Sequence, residues 1–213
     1  RKNLGIELAK ESDVDADIVV PVPDSGVPAA LGYSQFTKKN FELGLIRNHY
    51  VGRTFIEPSQ NIRSLGVKLK LSSTKSMIRN KKIVLIDDSL VRGTTCYKIV
   101  KMLYNAGAKE VHVRIACPKI IYPDFYGVDM PTKNELLAHK KSSIEMCKFI
   151  QAKSLEFLSL DGLYNALGKG KRNNTYPQFS DHYFTGDYPI KPSEIFDKEK
   201  ITQLSLLSSK STN

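Results

Sequence analysis

Cysteine is scarce in this chain, and what there is stands apart: Cys96, Cys117 and Cys147 form no C-x-x-C pair. An odd, scattered set of three excludes a disulfide framework and a structural zinc site, and it points to a reducing compartment. The four histidines, His49, His112, His139 and His182, fall in no H-x-x-x-H or mixed Cys/His spacing, which argues against a transition-metal centre. Long apolar runs are missing too. No stretch approaches the ~20 residues that span a bilayer, and no leader pattern opens the chain, so a cytoplasmic protein with no membrane partner is expected. There are no internal repeats and no long basic stripe. The net charge of +10, from 32 basic and 22 acidic side chains, is spread through short clusters such as Lys38–Lys39, Lys81–Lys82 and Lys140–Lys141. Nucleic acid and polyanionic small substrates would each explain such an excess, and charge alone does not decide between them; no nucleic-acid partner is expected.

What is present suits one globular domain plus an extension: 213 residues, 41% hydrophobic and 25% charged. The chain is organised around Lys81–Thr95, KKIVLIDDSLVRGTT. Ile83–Ile86 reads as a short buried strand that runs into two carboxylates, Asp87 and Asp88. A small-residue loop follows (Ser89, Arg92, Gly93, Thr94, Thr95) and opens a helix over Cys96–Asn105. Free N–H groups and the helix dipole at such a turn can cradle a phosphate, while the acids take hydroxyls or a metal beside it. The ligand implied is a sugar phosphate. Asp, Ser, Gly and Thr at a strand-to-helix turn also serve merely to cap the helix, and a lone D-D-S does not separate the two uses.

A second unit of the same kind comes earlier. Asp17–Val22 is a β-branched strand that stops at Pro23-Asp24-Ser25-Gly26, and Val27–Gln35 reads as a helix with Pro28 in its first turn. Taken alone, P-D-S-G is an ordinary β-turn; in a parallel sheet it would meet the Asp87–Asp88 turn at one ligand-binding edge. Ahead of it, NLGIELAKE is a short amphipathic helix with Leu4 and Leu8 on one face. Phe41–Ile46 is a further strand, feeding the long segment Arg47–Arg63, whose Arg47, His49, Arg53 and Arg63 suit a lid over a polyphosphate. Val67–Leu71 is an edge-strand candidate and Ser72–Asn80 a connector. Val111–Ala116 is the next strand, with a right-handed crossover. Helices are expected from Thr132 and over Ile144–Ile150, a last strand at Leu155–Leu158 and a small helix at Asp161–Leu167. Cys96 is read as packing, not as a nucleophile, since no His lies close in sequence. From Gly168 the composition shifts, and residues 168–213 are expected to form an extension that packs back through Phe179, Tyr183, Phe184 and Tyr188, with Ser208–Asn213 frayed.

The run hydrophobic-Asp-Asp-Ser-x-x-Arg-Gly-Thr-Thr resembles the phosphoribosyl diphosphate (PRPP) signature of the type I phosphoribosyltransferases. Beyond it, VVPVPDSGVPAALGYS, NHYVGRTFIEPSQNIR, AGAKEVHVRIACP, YPDFYGVDMPTKNELLAH and FTGDYPI resemble the C-terminal, phosphoribosyltransferase half of the amidophosphoribosyltransferases. The resemblance implies a type I phosphoribosyltransferase fold, a mostly parallel sheet flanked by helices, over residues 1–167. It implies formation of 5-phosphoribosylamine and pyrophosphate from PRPP and ammonia, at the first step of purine synthesis. Asp87 and Asp88 would lie beside the ribose hydroxyls and, with Ser25, hold Mg²⁺. Ser89, Arg92, Gly93, Thr94 and Thr95 would bind the 5′-phosphate, and Asp24, Ser25 and Gly26 the diphosphate. Arg53 would neutralise diphosphate charge, and Arg47 would contribute to binding PRPP or purine nucleotide inhibitors.

Other expectations follow from the same likeness. The family's glutaminase half has an N-terminal Cys that attacks glutamine, and here the first residue is Arg1 and no cysteine precedes Cys96. Glutamine hydrolysis is therefore expected off this chain, which reads as trimmed at its N-terminus and supplied by free ammonia or a separate glutaminase chain. One branch of the family holds an iron–sulfur cluster through cysteines near Asp124, Ser180 and Tyr183, so no cluster is expected. A homo-oligomer is. Two rival readings stand beside this one: a non-catalytic PRPP- or nucleotide-sensing module of the same fold, and a salvage phosphoribosyltransferase that uses a nucleobase.

Overall fold

Residues 1–47, 71–126 and 132–190 are described in the computed structural model. The apolar runs become a five-stranded, all-parallel sheet. In chain order its strands are β1 (Ile18–Pro21), β2 (Asn40–Phe41), β5 (Lys82–Asp87), β6 (Glu110–Ile115) and β7 (Ser154–Phe157). They lie side by side as β2-β1-β5-β6-β7. Near-continuous apolar strands are what a sheet covered on both faces requires. Ile83 and Leu85 pack on one face with Ile99, Val100, Leu103, Met146 and Ile150. Val84 and Ile86 pack on the other with Leu8, Ala29, Ala30 and Tyr33. This is the parallel sheet between helical layers that the resemblance implies.

Helices α1 (Lys2–Ser12) and α2 (Val27–Thr37) cover one face. They cross with almost no side chain between them: a Cβ on Gly5 would lie 1.8 Å from the Ala29 carbonyl oxygen, and one on Gly32 would lie 2.0 Å from that of Lys2. The other face carries α4 (Thr94–Asn105) and α6 (Ser143–Ile150). Helix α6 starts at a capping box that the sequence reading passed over. The Ser142 hydroxyl accepts the Glu145 N–H, and the Glu145 carboxylate accepts the Ser142 N–H at 2.8 Å, a device worth ~1 kcal/mol. Helix α7 (Leu160–Ala166) follows β7.

Three expectations need correction. The strand read over Phe41–Ile46 is two strands in different sheets, because β3 (Leu45–Arg47) pairs antiparallel with β4 (Leu71–Ser73). Gly44 makes the break. Its Cα is pressed so closely onto Ile78 and Val20 that a Cβ would sit 2.6 Å from Ile78 Cδ1. The connector Ser72–Asn80 contains the end of β4 and a short helix, α3 (Lys75–Ile78), anchored by the buried Ile78. From Thr132 the chain first makes a 3₁₀ turn, Lys133–Glu135, and only then α5 (Leu137–Lys140). The strand read over Val67–Leu71 lies outside the described residues except for Leu71, as do His49, Arg53, Arg63 and Ser208–Asn213.

Beyond α7 the chain returns to the body of the domain and includes α8 (His182–Thr185). The Phe179 ring packs on Tyr164, with centroids 5.6 Å apart. The Tyr188 hydroxyl donates to Pro123 O at 2.9 Å, and Tyr183 O accepts the N–H groups of Ile121 and Tyr122. Arg172 spans Asp181 and Asp187, each at 2.6 Å. Among the described residues no helix is long and apolar enough to cross a membrane.

Candidate active site

A parallel sheet delivers the carboxyl ends of its strands to one edge, and ligands bind where the strand order reverses. Here the chain leaves β1 for β2 on one side and returns to β5 on the other. The reversal lies between β1 and β5, whose registers align Ile18 with Ile83 and Pro21 with Ile86. The two turns singled out in the sequence leave these two strands.

They touch. Val22 N–H extends the ladder to Ile86 O at 2.8 Å. A Cβ on Gly26 would lie 2.4 Å from that same oxygen, so only glycine lets the β1–α2 turn lie so close to β5. The Pro23–Asp24 peptide is cis. Ser25, half-buried, stands near enough to Asp87 for its hydroxyl to favour the ionised carboxylate. Asp24 is exposed at the tip, where Nη1 of Arg47 meets its Oδ2.

On the β5 side, Asp87 Oδ1 accepts the Asp88 N–H at 2.9 Å, and Asp88 Oδ1 accepts the Ser89 hydroxyl at 3.0 Å. Burial beneath the turn, then the charge of Asp88 beside it, push the Asp87 carboxyl up to about 8; the Asp88 N–H and the Ser25 hydroxyl pull it the other way. Two adjacent acids that resist joint ionisation are a site for a hard cation. Among the described residues no three His, Cys, Asp or Glu side chains converge. One or two carboxylates with substrate oxygens is the usual Mg²⁺ arrangement.

Gly93, at φ +74, caps α4 and packs on Leu137 and Phe149. Thr94 and Thr95 lie exposed on the first turn of α4, so the free N–H groups of a twelve-residue helix open toward the crevice edge. The Arg92 side chain does not join the group. It is exposed and paired with Glu135 at 2.7 Å.

Two thiols stand near the acids without taking part in them. Burial raises Cys96 well above the usual thiol range and raises Cys117 to about 12, which leaves both without the thiolate a nucleophile needs. A cavity of about 310 Å³ opens at the end of β7, lined by Lys119, Glu156, Phe157 and Phe184, and it contains none of the motif residues. Asp124, Ser180 and Tyr183 do come together, around His182. Its Nε2 lies 2.8 Å from Asp124 Oδ1, its Nδ1 3.0 Å from Ser180 Oγ, and its ring 4.0 Å from that of Tyr183.

Sequence reasoning missed the Arg47–Asp24 contact, which joins residues with no fixed spacing. It also missed Arg114, buried on β6 among Ser12 O, Val113 O and the Ser154 hydroxyl. The alternating V-H-V-R-I was the available signal, since both polar residues share the face opposite Val111, Val113 and Ile115.

The wider likeness agrees with this geometry. Residues 3–142 match the phosphoribosyl transferase domain model. An amidophosphoribosyltransferase of Rhizobium etli is 58% identical over 98% of this chain, and one of Bacillus subtilis is 50% identical over 90%. The chain spans only 42% and 40% of those two relatives. A solved glutamine PRPP amidotransferase from B. subtilis, complexed with ADP and GMP, superposes with a TM-score of 0.78 at 49% identity, over 88% of this chain and 41% of that one. With the strand-end acids, the glycine turn and the helix N-terminus assembled as above, the chain belongs to the phosphoribosyl transferase domain family.

Proposed function

We propose that the chain is the phosphoribosyltransferase half of an amidophosphoribosyltransferase. It takes PRPP with Mg²⁺ and joins ammonia to the ribose carbon that bore the diphosphate, giving 5-phosphoribosylamine and pyrophosphate at the first step of purine synthesis. The observation that carries this reading is the meeting of two strand-end turns, with the Val22 N–H bonded to Ile86 O and Gly26 packed against that same oxygen. One turn alone is a helix cap; two facing turns make room for a ligand with phosphate at both ends. The relatives' name and the nucleotides in the B. subtilis structure support the same reading.

In this mechanism the N–H groups and hydroxyls of Ser89–Thr95 hold the 5′-phosphate at the head of α4. Asp87 and Asp88 accept the ribose hydroxyls and fix the sugar between the turns. The β1–α2 turn, Asp24 to Gly26, receives the diphosphate. Asp87, Asp88 and Ser25 would hold Mg²⁺, which when bound supplies positive charge to the leaving pyrophosphate. Breaking the sugar C–O bond builds oxocarbenium character, so the protein's task is placement and electrostatics, and no enzyme nucleophile is needed. Arg53 and the rest of the 47–63 segment act as the cover that excludes water. The nitrogen reaches the site as free ammonia or from a glutaminase chain, purine nucleotides compete for the same crevice, and the working form is a homo-oligomer in the cytoplasm.

The test is pyrophosphate release from PRPP with Mg²⁺ and ammonium at alkaline pH, for the chain and for Asp87→Asn/Asp88→Asn. Ammonia-dependent release that the double variant abolishes is the expected result. Mg²⁺-dependent PRPP binding without release points to the sensing module. Absence of both binding and release refutes the reading.

A further inference from the structure

A carboxylate stands where the functional reading puts a polyanion. Asp24, 56% exposed, projects from the turn assigned to the diphosphate. Left uncompensated, it would repel each phosphate oxygen that approaches, since unit charges a few ångströms apart at a protein surface interact strongly enough to shift affinity by an order of magnitude. Two observations bear on how it is compensated. First, Arg47 at the end of β3 sets Nη1 on Asp24 Oδ2. The contact joins the β1–α2 turn, which belongs to the main sheet, to the separate two-stranded sheet. Secondly, Arg47 Nε is buried with no acceptor among the described residues, although burying a donor unpaired is costly. Asp24 therefore engages only part of the guanidinium.

We propose that Arg47 is a positioning residue that cancels the charge of Asp24 and so lets the β1–α2 turn accept a diphosphate. The inference rests on the PRPP reading above. It differs from simple cationic attraction in its consequence: the harm done by removing Arg47 comes mainly from the acid left behind, so removing the acid as well repairs it.

The experiment is calorimetric titration of the full chain with PRPP and Mg²⁺, for the unaltered protein, Arg47→Gln, Asp24→Asn, the double variant and Arg47→Lys, each with its melting temperature. Arg47→Gln is expected to bind ~10-fold more weakly. Asp24→Asn, on the turn that receives the diphosphate, shifts affinity by its own amount, and the double variant regains most of what Arg47→Gln alone loses. Arg47→Lys, which keeps the charge but not the fork of donors, retains more affinity than Arg47→Gln. A lost fold would not be repaired by Asp24→Asn, so the rescue itself separates positioning from structural damage. A double variant as weak as Arg47→Gln, or Arg47→Gln at full affinity, overturns the proposal while leaving the PRPP reading in place. An unaltered chain that binds no PRPP removes both.

Discussion

Gly26→Ala tests whether packing of one turn against a neighbouring strand sets the site. Gly26 sits at φ −76 and ψ −14, which alanine adopts freely. Backbone strain is therefore absent, and the stiffer unfolded chain favours the variant by up to ~1 kcal/mol. Against this stands a steric conflict: the new Cβ lies 2.4 Å from Ile86 O and 3.0 Å from Val22 O, where ordinary contact begins near 3.4 Å. Both neighbours are backbone atoms, and Ile86 is fully buried within β5, so neither can swing aside. The turn must lift by about 1 Å, an overpacking that costs ~1–3 kcal/mol, and the clash outweighs the entropy gain. The same movement displaces Ser25 relative to Asp87, and a misplacement of about 1 Å costs on the order of 100-fold in turnover. Urea unfolding and pyrophosphate release, measured on the same preparation, are expected to fall together. An unchanged urea midpoint with unchanged turnover would refute the close contact on which the site's geometry depends.

Other outcomes follow from the same coordinates. Gly32→Ala would gain ~1 kcal/mol in a solvated helix, but here the methyl meets the Lys2 carbonyl oxygen, so urea denaturation should show a loss of ~2 kcal/mol; a gain would mean that α1 and α2 do not cross there. Asp87 keeps its proton to about pH 8 in the fold, whereas a solvated Asp releases it near pH ~4. The native state thus binds the extra proton between those values, and its stability falls as pH rises through that window. In chelator at pH 8, Asp87→Asn should be more stable than the unaltered chain by ~2 kcal/mol, less than the full shift implies because solvent reaches the group. The gap should close toward pH 4, and a less stable variant at pH 8 would show that the fold favours the carboxylate. Arg172→Met leaves the buried Asp181 with only Tyr164 and Thr185. A loss of ~3 kcal/mol is expected, with faster proteolysis across 168–190, and full protease resistance would count against the tie.

Much of this was legible in the chain itself. Ile83–Asp87, the turn after it and α4 could be read directly because a buried strand, two acids and a glycine before a helix leave local signals in consecutive residues. The second unit, Asp17–Gly26, was readable for the same reason. Failures came where the deciding partner is remote. Nothing within Phe41–Ile46 announces that Gly44 is pinned by Ile78 and Val20, so one strand was read where the chain changes sheets. Arg47 was named as a ligand contact, but its engagement with Asp24 depends on how two separate sheets meet. Arg92 is read in the phosphate loop by position, and no local signal announces that its side chain pairs with Glu135, 43 residues on.

The order of the strands has one more consequence. β1 and β5 are neighbours, yet Asp17 and Lys82, bonded side by side at their starts, are 65 residues apart in the chain. Neither turn is a binding element alone; a peptide carrying only Lys81–Thr95 keeps the signature and lacks its opposite wall. A molecule that reaches from one turn to the other acts as a clasp across the centre of the sheet, recognising only chains in which this distant pairing has formed. On the proposed function, substrate is then also an inspector of assembly. Heat resistance conferred by saturating ligand should disappear in any circularly permuted or nicked form that separates β1 from β5, even one that preserves every motif residue.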